Sequence, residues 1–82
     1  MKHRTKTVLQ AIKDITVRGE PVNLYTLADE TRLTWDEIKT SLSILLNVYR
    51  CIEVYDLPDY ELRNEGGMFS LGKFRLKEKK NA

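Results

Sequence analysis

The chain has 82 residues, of which 41% are hydrophobic and 32% charged, and its formal net charge is +2. This length suits one domain with a thin core, because a domain of this size buries only about 60–65% of its unfolded-chain surface. The longest apolar run, residues 44–46, is far too short to cross a membrane. Cys51 is the single cysteine, which excludes an internal disulfide and favours a reducing compartment, so we expect a cytoplasmic protein.

The first predicted element is a helix over residues 6–17, preceded by a flexible basic arm at residues 1–5. Its apolar side chains recur at helical spacing: Val8, Ala11, Ile12 and Ile15. Gly19 follows Arg18, which is typical of a helix end with a cation in its last turn.

A second, shorter helix is predicted over residues 24–30. It follows the turn "GEPVN", in which Pro21 bars helix continuation and Asn23 suits the N-cap. Residues 31–33 then form a tight connection to the third helix.

The third helix is predicted over residues 35–50. Thr34 and Glu37 form the capping box T-x-x-E, in which each side chain satisfies the backbone N–H of the other residue. The negative charges of Asp36 and Glu37 also stabilise the positive, N-terminal end of the helix dipole. These two acids therefore have a structural explanation.

The third helix has a buried face and a polar arc. The buried face is expected to contain Ile38, Ser41, Leu42, Leu45, Val48 and Tyr49. The polar arc carries Asp36, Lys39, Thr40, Ser43, Asn47 and Arg50, with Ile44 as an apolar exception. Trp35 borders the buried face, so we expect it to pack on the second helix. The alternative is that Trp35 stands out towards a partner.

After Cys51 the pattern changes to strand-like alternation. Residues 52–55 predict a strand, Pro58 interrupts it, and residues 60–63 are a candidate second strand. Gly66-Gly67 indicates a turn.

The closing strand is predicted in "GKFRLK", residues 72–77. Phe74 and Leu76 lie on one side of this strand, and Lys73, Arg75 and Lys77 lie on the other. Residues 78–82 are expected to form a frayed tail.

Charge is unevenly distributed along the chain. Residues 1–18 and 68–82 each carry five cationic side chains and one acidic side chain, whereas residues 19–67 carry four cationic and ten acidic ones. Phosphate binding depends on local positive charge rather than on the total. The two basic ends are therefore candidates for contact with a polyanion.

Three helices, with a tight turn between the second and third, followed by a β-hairpin, resemble the winged helix-turn-helix superfamily. The resemblance covers about residues 6–77. It rests on Leu24-x-x-Leu27-Ala28, on "RLTWDEIKTSLSILL" and on the closing "GKFRL". In the second of these stretches the family's core positions are held by Leu33, Ile38, Leu42 and Leu45.

The resemblance implies a single α+β domain over residues 1–82, with a three-helix helix-turn-helix core followed by a β-hairpin wing. It also implies a small bacterial or phage-type regulator of transcription that binds specific sequences of double-stranded DNA. The connection over residues 55–71 departs from a simple wing, because it is long and acidic and would be repelled by phosphate.

If the chain binds DNA as this family does, the helix over residues 35–50 enters the major groove by its N-terminal half. The candidates for reading base edges are Trp35, Asp36, Lys39, Thr40 and Ser43. The candidates for contacting phosphate are Lys2, Arg4, Lys6, Tyr25, Thr26, Arg32, Thr34, Lys73, Arg75 and Lys77. Two alternatives stay open: the polar arc is an ordinary solvated helix face, and the closing-strand cations protect a sheet edge from aggregation.

The rival functional hypothesis is a protein-interaction module on the same scaffold, which would bind its partner through residues 57–71. Specific DNA binding favours a homodimer, because one small domain covers a single half-site. His3 is the only histidine and Cys51 has no partner in sequence, so catalysis and metal binding have little support. We therefore expect no enzyme activity, no metal, no cofactor and no membrane contact.

Overall fold

The computed structural model describes residues 1–55 and 72–77. The elements in these ranges are α1 (His3–Val17), α2 (Leu24–Thr31), α3 (Trp35–Asn47), β1 (Ile52–Tyr55) and β2 (Lys73–Leu76). The two strands pair antiparallel. The described part of the chain is thus α+β, with three helices and a two-stranded antiparallel sheet, as the sequence predicted. None of its helices has both the length and the apolar character needed to cross a membrane.

The core lies where the three helices meet the inner face of the sheet. Its fully buried side chains include Ile12 and Ile15 of α1, Leu27 of α2 and Leu42 of α3. The sheet contributes two more, and Phe74 is the largest fully buried side chain in the described residues. The predicted inward faces of α1 and α3 are therefore confirmed at their centres.

The α1 helix begins at His3, so the prediction of a flexible arm over residues 1–5 is wrong from His3 onward. Lys2 is the N-cap residue, and its carbonyl accepts the N–H of Lys6 at 3.0 Å. Thr5 is only 2% exposed and lies three residues before Val8, which extends the inward face by one turn. The sequence did not reveal this turn because threonine does not read as an apolar residue.

The α1 helix ends at Val17, and the predicted glycine follows its C-cap residue, Arg18. Gly19 has a φ of 77°, which glycine adopts without the strain that a Cβ would bring. The N–H of Gly19 donates to the carbonyl of Thr16, and that of Glu20 donates to Ile15. This pair of bonds is a Schellman motif and turns the chain back towards α2.

An ion-pair network joins the ends of α1 and α2. One guanidinium nitrogen of Arg18 lies 3.1 Å from a carboxylate oxygen of Glu20 and 2.7 Å from one of Glu30. Hydrogen bonds to these two carboxylates raise the pKa of Arg18 above its ordinary value, and the bond to Glu30 has the larger effect. Because all three side chains are partly exposed, solvent screens this network and its contribution to stability is small.

The start of α2 is capped as predicted. The Asn23 side chain accepts the Thr26 N–H at 2.9 Å, and the Thr26 hydroxyl accepts the Asn23 N–H at 2.9 Å. The helix runs to Thr31, and Arg32 ends it with a left-handed backbone, φ 62°. A tight connection of residues 32–34 then leads into α3.

The α3 helix ends at Asn47 rather than at Arg50. Val48 is 70% exposed and Tyr49 is 45% exposed, so the prediction that both lie on the buried face is wrong. Arg50 has a φ of 54°, and the Cys51 N–H donates to the carbonyl of Leu45. This turn redirects the chain into β1 before the last predicted helical turn can form.

The sheet is attached to the helices through both strands. Ile52 of β1 and Phe74 of β2 are fully buried, and the Phe74 N–H donates to the carbonyl of Val22, between α1 and α2, at 2.8 Å. This bond joins the far edge of β2 to the turn before α2. No role was predicted for Val22, although it is an apolar residue between Pro21 and the Asn23 cap.

Several predictions fall outside the described residues. They are the candidate strand at residues 60–63, the Gly66-Gly67 turn, the frayed tail at residues 78–82 and the proposed partner-binding segment at residues 57–71.

Candidate functional site

The outward face of α3 is polar and is not used by the core. Asp36 and Thr40 are exposed, and Lys39 and Ser43 are half-buried. The amide of Asn47 donates to the Ser43 hydroxyl at 3.3 Å. Because none of these four side chains is buried in the core, the α3 polar face (Asp36, Lys39, Thr40 and Ser43) is available to a partner.

The first turn of α3 is held by the predicted capping box. The Thr34 N–H donates to Glu37 Oε1 at 3.0 Å, and the Glu37 N–H donates to Thr34 Oγ1 at 3.2 Å. The pKa of Glu37 lies below its ordinary value. The largest cause is the hydrogen bond from the Thr34 backbone N–H, followed by the hydrogen bond with the Thr34 side chain, and the positive charge of Arg4 lowers the pKa further. Glu37 is therefore ionised and fixed in position at neutral pH.

The Glu37 cap gives a pH-dependent prediction. A carboxyl whose pKa is lowered in the folded state stabilises the fold above its ordinary pKa of 4.5, and this stabilisation is lost as the pH falls through the folded-state value. We expect Glu37→Gln to lower the melting temperature at pH 7 and to have a diminishing effect below about pH 4. Thermal unfolding of both proteins from pH 7 to pH 3 measures this. A difference in melting temperature that stays constant over the whole range would contradict the prediction.

The basic N-terminal end of α1 lies beside the start of α3. Arg4 Nε is 2.8 Å from Glu37 Oε2. Between the two helices lies a groove of about 450 Å³, with Lys2 and Arg4 on one side and Asp36 and Thr40 on the other. Ile44, the apolar exception on the predicted polar arc, also lines this groove. One of the two basic ends of the chain thus adjoins the α3 polar face.

An exposed pair of aromatic rings lies where α2 and α3 begin. The rings of Tyr25 and Trp35 meet edge to face, with centroids 5.3 Å apart. The expected contact between Trp35 and the second helix is confirmed. Trp35 is nevertheless 46% exposed and Tyr25 is 62% exposed, so the pair also faces solvent.

Two of the predicted phosphate ligands have structural roles. The Thr26 hydroxyl donates to the carbonyl of Pro21 at 2.9 Å in addition to capping α2. Thr34 caps α3 through both its side chain and its N–H. Arg32 and Lys6 are exposed, and the side chain of neither makes a hydrogen bond or ion pair with another described residue.

The cations of β2 lie on the outer face of the sheet. Arg75 is opposite Glu53, with Nε 2.9 Å from Glu53 Oε1, and its guanidinium carbon is 4.9 Å from the centre of the Tyr55 ring. Lys73 is half-buried and Lys77 is exposed. The charge of Arg75 is therefore partly offset within the sheet. This cross-strand pair was not predicted, because register cannot be read before the strands are paired.

Groups of His, Cys, Asp or Glu that could hold a metal ion do not occur in residues 1–55 and 72–77. The chain matches no protein-family model, no curated protein and no solved structure. Its functional interpretation therefore depends on the geometry described above.

Proposed function

We propose that this chain is a winged helix-turn-helix protein that binds double-stranded DNA and regulates transcription, with α3 entering the major groove by its N-terminal half. One observation carries the proposal: the α3 polar face is left free by the core and lies beside the basic N-terminal end of α1. An α-helix fits the major groove, and cations beside it attract the flanking phosphates.

Each side chain of the α3 polar face has a chemistry that suits a base edge. Lys39 donates to guanine O6 or N7, and Asp36 accepts from cytosine N4. Thr40 and Ser43 donate or accept, and the Thr40 methyl group can contact the methyl group of thymine. Trp35 borders this set. Lys2 on one flank, with Arg75 on β2 and Lys77 just after it, would supply the phosphate contacts.

Lys39→Ala tests the reading role of α3. The Lys39 side chain makes no hydrogen bond or ion pair with another described residue, so its loss should leave stability within about 0.5 kcal/mol. We expect binding to a site selected from random sequence to weaken by about 1–3 kcal/mol, with relaxed preference at one base pair. Fluorescence anisotropy on selected and random duplexes measures both effects.

Lys13→Ala is the matched control, because it removes the same charge from the exposed face of α1. Arg75→Ala should behave differently from Lys39→Ala. It should lower affinity for all duplexes alike, and it should reduce the slope of log affinity against log salt concentration by about one. If Lys39→Ala and Lys13→Ala behave identically on both duplexes, α3 does not read bases.

A specific operator would engage two copies of this chain. A single domain covers one half-site, so a dimer would bind two half-sites about one helical turn apart. Val48, exposed at the end of α3, and the half-buried Ile44 and Leu46 are apolar side chains that an interface could use.

The second candidate function is protein binding, and the Tyr25–Trp35 pair favours it. Exposed tryptophan and tyrosine side chains are enriched among the residues that dominate protein interfaces. If Trp35→Ala no longer binds a protein partner of the wild-type chain but keeps its affinity for DNA, the pair serves protein binding.

A further inference from the structure

Arg4 and Glu37 form an ion pair beside the α3 polar face. The pair joins the first turn of α1 to the first turn of α3 through one contact, from Arg4 Nε to Glu37 Oε2 at 2.8 Å. The Arg4 side chain is 65% exposed, whereas the Glu37 side chain is 25% exposed. The carboxylate is thus fixed by the cap, and the guanidinium is held against it at the surface.

The position of Arg4 is one that a phosphate of bound DNA would use. Arg4 shares one side of the groove with Lys2, and the groove opens beside Asp36 and Thr40 of the α3 polar face. A duplex read by this face would place a backbone phosphate near that side. A carboxylate and a phosphate oxygen compete for the same guanidinium donors, because both accept charge-assisted hydrogen bonds.

We propose that Glu37 acts as an internal competitor of DNA phosphate, holding Arg4 away from the backbone and so weakening sequence-independent binding. This inference rests on the proposed function. It makes Arg4 a latent phosphate contact and Glu37 a residue that sets the balance between specific and non-specific affinity. The second acid of the first turn, Asp36, adds repulsion at the same place.

The competition gives Glu37 a role that its cap alone does not require. Glutamine at the third helical position also completes a capping box, so Glu37→Gln can keep the bond from the Thr34 N–H while releasing Arg4. The folding role and the competing role of this side chain can therefore be tested separately.

The experiment compares binding of random-sequence duplex by wild type and Glu37→Gln over a range of salt concentrations. We expect the variant to bind roughly two- to fivefold more tightly, because an exposed ion pair of this kind is weak. We expect the slope of its log affinity against log salt concentration to be steeper by about 0.9, since one more phosphate is neutralised. Asp29→Asn is the matched control, because it makes the same change in net charge on the exposed surface of α2.

A double-mutant cycle that combines Glu37→Gln with Arg4→Gln tests whether Arg4 is the cation that Glu37 holds away from phosphate. We expect Arg4→Gln to weaken binding more in the Glu37→Gln background than in wild type, because only there is Arg4 free for phosphate. Thermal unfolding of each variant confirms that it is folded.

Two outcomes overturn the inference while leaving the proposed function intact. In the first, Glu37→Gln binds no more tightly than Asp29→Asn, so that Glu37 orients Arg4 or is indifferent to DNA. In the second, the cycle shows no coupling between Arg4 and Glu37. Absence of salt-dependent binding in wild type and every folded variant overturns the inference and the proposed function together.

Discussion

Phe74→Ala should lower the free energy of unfolding by about 3–5 kcal/mol. Phe74 is fully buried, and its ring is the largest side chain in the described core. Truncation removes the transfer free energy of the ring and leaves a cavity between the sheet and the helices. Because a domain of this length has a total stability of about 4–12 kcal/mol, the variant should be largely unfolded well below the melting temperature of wild type.

Urea unfolding followed by circular dichroism measures this loss. Phe74→Leu is the matched variant. Both substitutions keep the backbone bond to Val22, but leucine fills more of the space left by the ring, so it should lose less stability than alanine. Arg75→Ala changes the neighbouring residue on the outer face of the strand and should have a small effect. If Phe74→Ala were as stable as Arg75→Ala, β2 would not be packed on the core as described.

Leu42→Ala should cost about 2–4 kcal/mol, the second largest effect we expect. Leu42 is fully buried in the middle of α3, whose outward face is the candidate site. The loss follows from the lost burial and from the cavity that the surrounding helices cannot fill. Because the α3 polar face is carried by the same helix, weakening this contact should also lower any binding that depends on a fixed α3.

Thr40→Ala is the control for Leu42→Ala, since Thr40 is exposed on the same helix. We expect this control to stay within about 0.5 kcal/mol of wild type. Equal unfolding midpoints for the two variants would contradict the burial of Leu42.

The centres of the helices could be predicted because their apolar spacing and their caps indicate the same elements. Asn23 and Thr34 both cap helices as expected, and Gly19 ends α1. The pairing of β1 with β2 agrees with the predicted alternation in both segments. At each of these positions a local rule was sufficient.

The helix ends that were predicted wrongly depend on tertiary structure. The first turn of α1 forms with Thr5 buried against the core, which no propensity indicates. The α3 helix stops at Asn47 because the chain must turn through Arg50 to reach β1. Val48 and Tyr49 continue the apolar pattern in sequence, but that turn carries them out of the helix.

The candidate site was predictable only as a set of residues. The polar arc of α3 followed from helical periodicity, whereas the contact between Arg4 and Glu37 joins residues that are far apart in sequence. The same is true of the bond from Phe74 to Val22. For Trp35, the contact with the second helix was predicted, but its partner Tyr25 was not. Such contacts depend on how the elements pack, which single-sequence patterns do not specify.

A titration of the wild-type chain with random-sequence duplex, at about 50 and 200 mM salt, tests the central proposal most directly. Each phosphate neutralised by a cationic side chain should contribute about 0.9 to the slope of log affinity against log salt. We predict binding at micromolar protein at the lower salt concentration, and clearly weaker binding at the higher one. Absence of any salt-dependent binding at low ionic strength and micromolar protein would contradict the DNA-binding proposal and favour the protein-partner alternative.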